Sequence, residues 1–179
     1  MNPQETVVAL EKAQVDDVPL FTRKTPLQLV IQLLKRHRDN WSKNNPDSKP
    51  ISIIITTLAS RAYNGEGDIV TALTNILERM EEFVNPVKPR VPNPVDPDED
   101  FADRWYRTDS SHLMLEKNFF AWLFQAKKDV QHILSADNTE FLCEIVENKF
   151  GLRLNQTNLK KHMGISATTA SFIERGLGF

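Results

Sequence analysis

The chain has a single cysteine, six glycines and a net charge of only −2 across 179 residues. Each of these shortages excludes something. Cys143, set among Phe141, Leu142 and Ile145, has no partner for an internal disulfide and is expected to pack in a core in a reducing compartment. The near-neutral balance gives no global attraction to nucleic acid or to an anionic membrane, so any basic function must come from a local patch. The longest apolar-looking run, Ile51 to Ala59, is interrupted by Ser52, Thr56 and Thr57 and is about half the ~20 residues of a bilayer span. The opening MNPQETVVALEK carries neither a basic region nor a cleavage pattern, so a cytoplasmic, soluble protein without a membrane partner is expected. No internal repeat or low-complexity tract is present.

What is present is helical punctuation. A short helix is expected from Glu5 to Gln14, stopped by Pro19. Thr25-Pro26-Leu27-Gln28 then has the form of a helix start, with Thr as N-cap, Pro at the first position and Gln closing a capping box. Leu27, Val30, Ile31, Leu34 and His37/Arg38 follow at helical spacing, so this helix has an apolar stripe and a basic head.

Pro50 opens a second element in which propensity and pattern conflict. ISIIITT is β-branched and suits a buried strand, whereas LASRAY and the apolar character on all faces suit a central helix over about 51–63. Asn64-Gly65 marks a turn, and Asp68 caps a third helix carrying Ile69, Leu73, Ile76, Met80 and Phe83. Residues 85–97 hold Pro86, Pro89, Pro92, Pro94 and Pro97 and are expected to run extended over the surface, with Phe101 and Trp105 anchoring the start of the next element. A fourth helix is expected from near Ser110 to Leu134, and a fifth from Thr139 to Phe150, ended by Gly151.

The expected fold is all-α: five or six helices around the central apolar helix, with the proline-rich stretch (85–109) crossing the bundle. The main helical domain covers 1–150, and 151–179 forms a short helical extension.

Few residues carry readable chemistry. Lys35, Arg36, His37 and Arg38 end the first helix, where cations suit the dipole, and a solvated basic face explains them on periodicity alone. Lys35 follows Ile31 by one turn and so leaves from the edge of the apolar stripe, a position suited to a fixed phosphate contact. Ser52 lies in the first turn after Pro50, where free amides favour an anion, although a capping or packing serine is the ordinary reading. His37, His112, His132 and His162 have no cysteine or carboxylate at ligand spacing on a common face, so no metal ligands and no catalytic residues are assigned.

The stretches KTPLQLVIQLLKRHRD and KPISIIITTLASRAYNGE, together with PNPVDPDEDFADRW, resemble the C-terminal helical half of the bacterial cGAS/DncV-like nucleotidyltransferases (CD-NTases), which are related to the oligoadenylate synthetases. The resemblance is dense over residues 15–110, thinner over 110–150 and absent after about 155. It implies a nucleotide-binding lobe of a cyclic-oligonucleotide synthase in antiphage signalling, with Lys35 and Ser52 on the phosphates of ATP or GTP.

The departure from that family is equally clear. Its enzymes bind two Mg²⁺ ions through carboxylates on a β-sheet lobe, introduced by a Gly-Ser pair and an Asp-x-Asp element. Here there is no Gly-Ser dipeptide, and the only Asp-x-Asp spacings, Asp96-Pro97-Asp98 and Asp98-Glu99-Asp100, lie in the proline-rich stretch and read as a solvated acidic loop. The chain itself is therefore expected to bind no cofactor and to be inactive alone. Mg²⁺ would enter through a catalytic lobe encoded upstream or separately. The alternative class is a helix-turn-helix DNA-binding or regulatory protein built from LKKHMGISATTASFIERGLGF. There Lys160 and Lys161 would meet phosphates and Thr168 and Ser171 would meet bases, but the reading helix has Arg175 as its only cation and DNA is not the expected partner.

Overall fold

Helix α1 (Pro26–Trp41) starts as its sequence dictates. The Thr25 hydroxyl accepts from the Gln28 amide at 3.3 Å and the Gln28 side chain accepts from the Thr25 amide at 2.9 Å. The computed structural model describes residues 24–154. Within them four further α-helices follow: α2 (Ser52–Ala62), α3 (Ile69–Arg79), α4 (Leu115–Leu134) and α5 (Thr139–Phe150). No β-strand occurs among the described residues; a single isolated bridge joins Pro92 to Asp100. The fold is all-α.

The conflict over ISIIITT resolves in favour of a helix, for a packing reason. Ile54, Ile55, Leu58, Ala59 and Ala62 are buried while Ile51, Ser52, Ile53 and Ser60 are exposed, which is a 3.6-residue period rather than a two-residue one. Burying each large apolar side chain stabilises by about 1.5–3 kcal/mol, enough to override the sub-kilocalorie reluctance of isoleucine to be helical. The element that touches all the others, however, is α1. It packs against α2, α3, α4 and α5, whereas the main contacts of α2 are with α1, α3 and the 3₁₀ turn Met80–Phe83. The core gathers between them, with Trp122, Phe119, Leu33, Leu34, Ile55 and Met80 fully enclosed.

Caps set the other helix ends. Asp68 Oδ1 accepts from the Thr71 amide at 2.9 Å to open α3, and Asn138 Oδ1 accepts from the Phe141 amide at 2.8 Å to open α5. Gly151 closes α5 at φ 63°, the left-handed cap that glycine adopts without a Cβ penalty. The fourth helix begins later than periodicity suggests. Thr108–Leu113 form a 3₁₀ helix, and Met114, at φ 49°, separates it from the α-helical run that starts at Leu115.

The proline-rich stretch contains no α-helix, only the 3₁₀ turn Asp103–Trp105 and the start of Thr108–Leu113, and it does not simply cross the surface. It doubles back, with the Asn93 amide donating to Glu99 O (2.9 Å) and the Phe101 amide to Val91 O (3.0 Å). Asp100 holds the return. Its carboxylate accepts from the amides of Arg90, Val91 and Ala102 and from the Tyr106 hydroxyl. Although partial burial pushes its pKa up, those bonds outweigh burial and hold it below the usual carboxylate value. Asp100 thus departs from the solvated-loop expectation and is a structural acceptor. Phe101 and Trp105 anchor as expected, Trp105 lying 5.3 Å from Phe119 between ring centroids.

Candidate functional site

The last two turns of α1 hold most of the chemistry, and there the expectation of a solvated basic face fails for two residues. His37 and Arg38 are buried, 1% and 6% exposed, while Arg36 is exposed and Lys35 half-buried. The reason is spacing: His37 and Arg38 continue the stripe of Val30, Leu33 and Leu34, and their partners come from distant segments.

His37 faces α4 and α5. The Trp122 indole N–H donates to His37 Nδ1 at 3.0 Å, and an indole can only donate, so Nδ1 is unprotonated and Nε2 carries the proton. That proton is donated to Asp129 Oδ2, also at 3.0 Å. Asp129 Oδ1 accepts from Gln125 (2.9 Å) and pairs with the Lys149 ammonium (3.3 Å). Phe150 stacks at a tilt, 5.1 Å from the imidazole. Burial lowers the His37 pKa and outweighs the opposing pull of Asp129, so the ring is neutral. Burial acts to raise the Asp129 pKa, but the bonds from His37 and Gln125 and the Lys149 charge together hold it below the usual range. A polar cleft of about 290 Å³ opens beside this network between Asn40, Trp41, Asn148 and Lys149. Every buried side-chain donor and acceptor among the described residues has a partner.

Arg38 turns the other way, to the start of α2. Its Nη1 donates to Pro50 O at 3.1 Å and to Ser52 Oγ at 2.8 Å. Nε and Nη2 both donate to Asp39 Oδ1, at 3.0 and 2.8 Å, and Lys49 joins the same oxygen at 3.3 Å. Ser52 is the first residue of α2 and is exposed. No side chain caps this helix and no acidic residue lies in its first turn. Its first-turn amides and the positive end of its dipole are therefore left without a side-chain acceptor, the arrangement an anion favours. The 101–105 turn is brought alongside: Phe101, Arg104 and Trp105 share a shallow groove with Lys49, Pro50, Ile51 and Ile54.

Of the two residues singled out from sequence, Ser52 thus stands at an open helix start. Lys35 lies one turn before Arg38, about 60° away around α1 by helical geometry, and makes no hydrogen bond or ion pair among the described residues. No bond joins Lys35 to Ser52; the cation on Ser52 is Arg38. Sequence reasoning had Arg38 in its basic cluster but missed this role, and the available signal was the continuation of the apolar stripe.

The acidic side chains among the described residues do not fit a two-metal centre. Both oxygens of Asp100 are committed to its four donors, and no group of three His, Cys, Asp or Glu side chains among the described residues is placed to hold a metal ion. No helix among those residues is long and apolar enough to cross a membrane. The expected helices at 5–14 and in the C-terminal extension, with Lys160, Lys161, Thr168, Ser171 and Arg175 of the helix-turn-helix reading, lie outside the described residues.

No protein-family model matches the chain. It is similar to a c-di-GMP synthase of Roseivirga ehrenbergii, 28% identical over 151 residues, which cover 82% of this chain and 38% of that protein. The chain thus spans well under half the length of the curated relative it matches. The likeness is distant and is consistent with a cyclic-nucleotide synthase family.

Proposed function

We propose that the chain is the helical part of a cyclic-oligonucleotide synthase of the CD-NTase type, gripping a nucleoside triphosphate for antiphage signalling, with Lys35 and Ser52 on the phosphates. The observation that carries this reading is the uncapped, acid-free start of α2 with the exposed Ser52 hydroxyl, backed by the buried Arg38; Lys35, one turn before Arg38 on α1, has no partner among the described residues. Amides at a helix start, a hydroxyl and cations are the donor set a triphosphate uses. GTP is the first ligand to test, because the similar protein is named a c-di-GMP synthase. In this reading the Mg²⁺-binding carboxylates belong to a sheet lobe outside these residues, encoded upstream or separately, and these 179 residues alone turn over no nucleotide.

The test is calorimetric titration of the 179-residue chain with GTP, ATP and guanosine. Binding of the triphosphates but not the nucleoside, lost in Lys35→Glu, is the expected result. Equal binding of guanosine and GTP, or indifference to Lys35→Glu, would sink the assignment. Pyrophosphate release from GTP and Mg²⁺ by the pure chain, abolished by Lys35→Glu, would overturn the expectation that it is inactive alone.

A further inference from the structure

We infer that Arg38 is a positioning residue that turns the Ser52 hydroxyl into a committed donor for phosphate; the inference rests on the phosphate reading above. A serine hydroxyl can donate or accept, and an anion needs it to donate. The Arg38 guanidinium has no acceptor, so at 2.8 Å Ser52 Oγ must be the acceptor of that bond. The hydroxyl proton is then directed away from Arg38. Ser52 Oγ has no other protein partner among the described residues, and the side chain is exposed, so the proton faces the solvent in front of the α2 start.

Arg38 is held in this pose independently of Ser52. Asp39 takes Nε and Nη2 from one side, and Pro50 O takes the second proton of Nη1. The guanidinium fork matters as much as its charge, because a lysine cannot hold Asp39, Pro50 and Ser52 at once in fixed directions. Burial strengthens the effect: a cation 6% exposed and held next to the hydroxyl polarises it with little screening from water.

A double-mutant cycle on GTP affinity in the full chain tests this. Arg38→Lys and Ser52→Ala are each expected to weaken GTP binding about tenfold, the worth of one charge-assisted bond. The double variant should be no weaker than the worse single, because Arg38 acts through Ser52. Ser52→Thr, which keeps the hydroxyl, should restore binding. A purely structural Arg38 would instead give additive losses, and additivity overturns the inference. So does an Arg38→Lys variant that binds as the wild type does while Ser52→Ala fails; that outcome leaves the phosphate site standing. If Lys35→Ala and Ser52→Ala both bind GTP normally, the phosphate reading itself falls and the role of Arg38 falls with it. Should Arg38→Lys not fold, Asp39→Ala replaces it. Asp39 is half-exposed and touches the hydroxyl only through the guanidinium. Asp39→Ala should weaken GTP binding in the wild type and have no effect in the Ser52→Ala background; a loss in both backgrounds, or in neither, overturns the inference.

Discussion

His37 and Arg38 are neighbours in sequence and both buried, yet they build opposite kinds of place. Around His37 every buried polar atom is answered: indole to imidazole, imidazole to carboxylate, carboxylate to amide and ammonium. That network ties α1 to α4 and α5 and is expected to serve stability. Around Arg38 the chain is fastened on the inner side and open on the outer one, where the exposed Ser52 stands at the uncapped start of α2. One buried cation-forming side chain closes a core, while the next prepares a surface. Burial of a polar side chain is therefore not by itself a sign of function. What separates the two is where the bonds end: those of His37 run between side chains of α4 and α5, and those of Arg38 reach the exposed hydroxyl that starts α2.

The largest effect should come from Asp129→Ala. It strands His37 Nε2, Gln125 and Lys149 at once, and a loss of about 3–5 kcal/mol in urea unfolding is expected. A loss below ~1 kcal/mol would mean the network does not hold the helices together. Trp122→Phe is the gentler form, removing the donor to Nδ1 and leaving a small cavity in place of the lost ring atoms of this enclosed side chain; about 2–3 kcal/mol should be lost.

The pH dependence comes next. Burial lowers the His37 pKa from its ordinary 6.5, so the unfolded chain binds the proton more readily than the folded one. Stability is then complete above pH 6.5 and falls as pH drops through 6.5 toward the lowered value, with a limiting slope of ~1.4 kcal/mol per pH unit. Asp129, also held low, adds its own loss only below 3.8, its ordinary value. Urea titrations at a series of pH values should show the first step in the wild type and not in His37→Gln.

The smallest effect on stability belongs to the open side. Lys35→Ala removes a side chain with no partner among the described residues and should change stability by no more than about 0.5 kcal/mol. Its expected cost is in GTP affinity alone. A Lys35→Ala variant that unfolds easily and binds GTP normally would reverse the comparison.

What was legible in the sequence was local. The capping box of Thr25 and Gln28, the cap at Asp68 and the αL glycine at 151 depend on neighbours within a few residues, and all three appear as read. The stripe of α3 was legible for the same reason. The identity of ISIIITT as a helix was not decided by its residues, because its partners on α1 and α3 are what reward the helical period. The roles of His37 and Arg38 were hidden more deeply: the apolar stripe signals their burial, but Asp129 lies 92 positions away and Ser52 lies 14, and no spacing rule names either partner. Asp100 was misread because a carboxylate among prolines looks solvated until the loop folds back and offers it three amides. Of the candidate site, the exposed serine at a helix start was readable; the arginine behind it was not.

The position of α1, in contact with every other α-helix, has a further consequence. A helix at the edge of a bundle can fray and let its amides exchange with solvent while the rest stays folded. Helix α1 has no such private route, since detaching it uncovers α2, α3, α4 and α5 together. The slow-exchanging amides of the whole bundle should therefore lie near Val30 to Leu34. A ligand seated on the next turn of the same helix would slow their exchange throughout the bundle, not only at the place it touches.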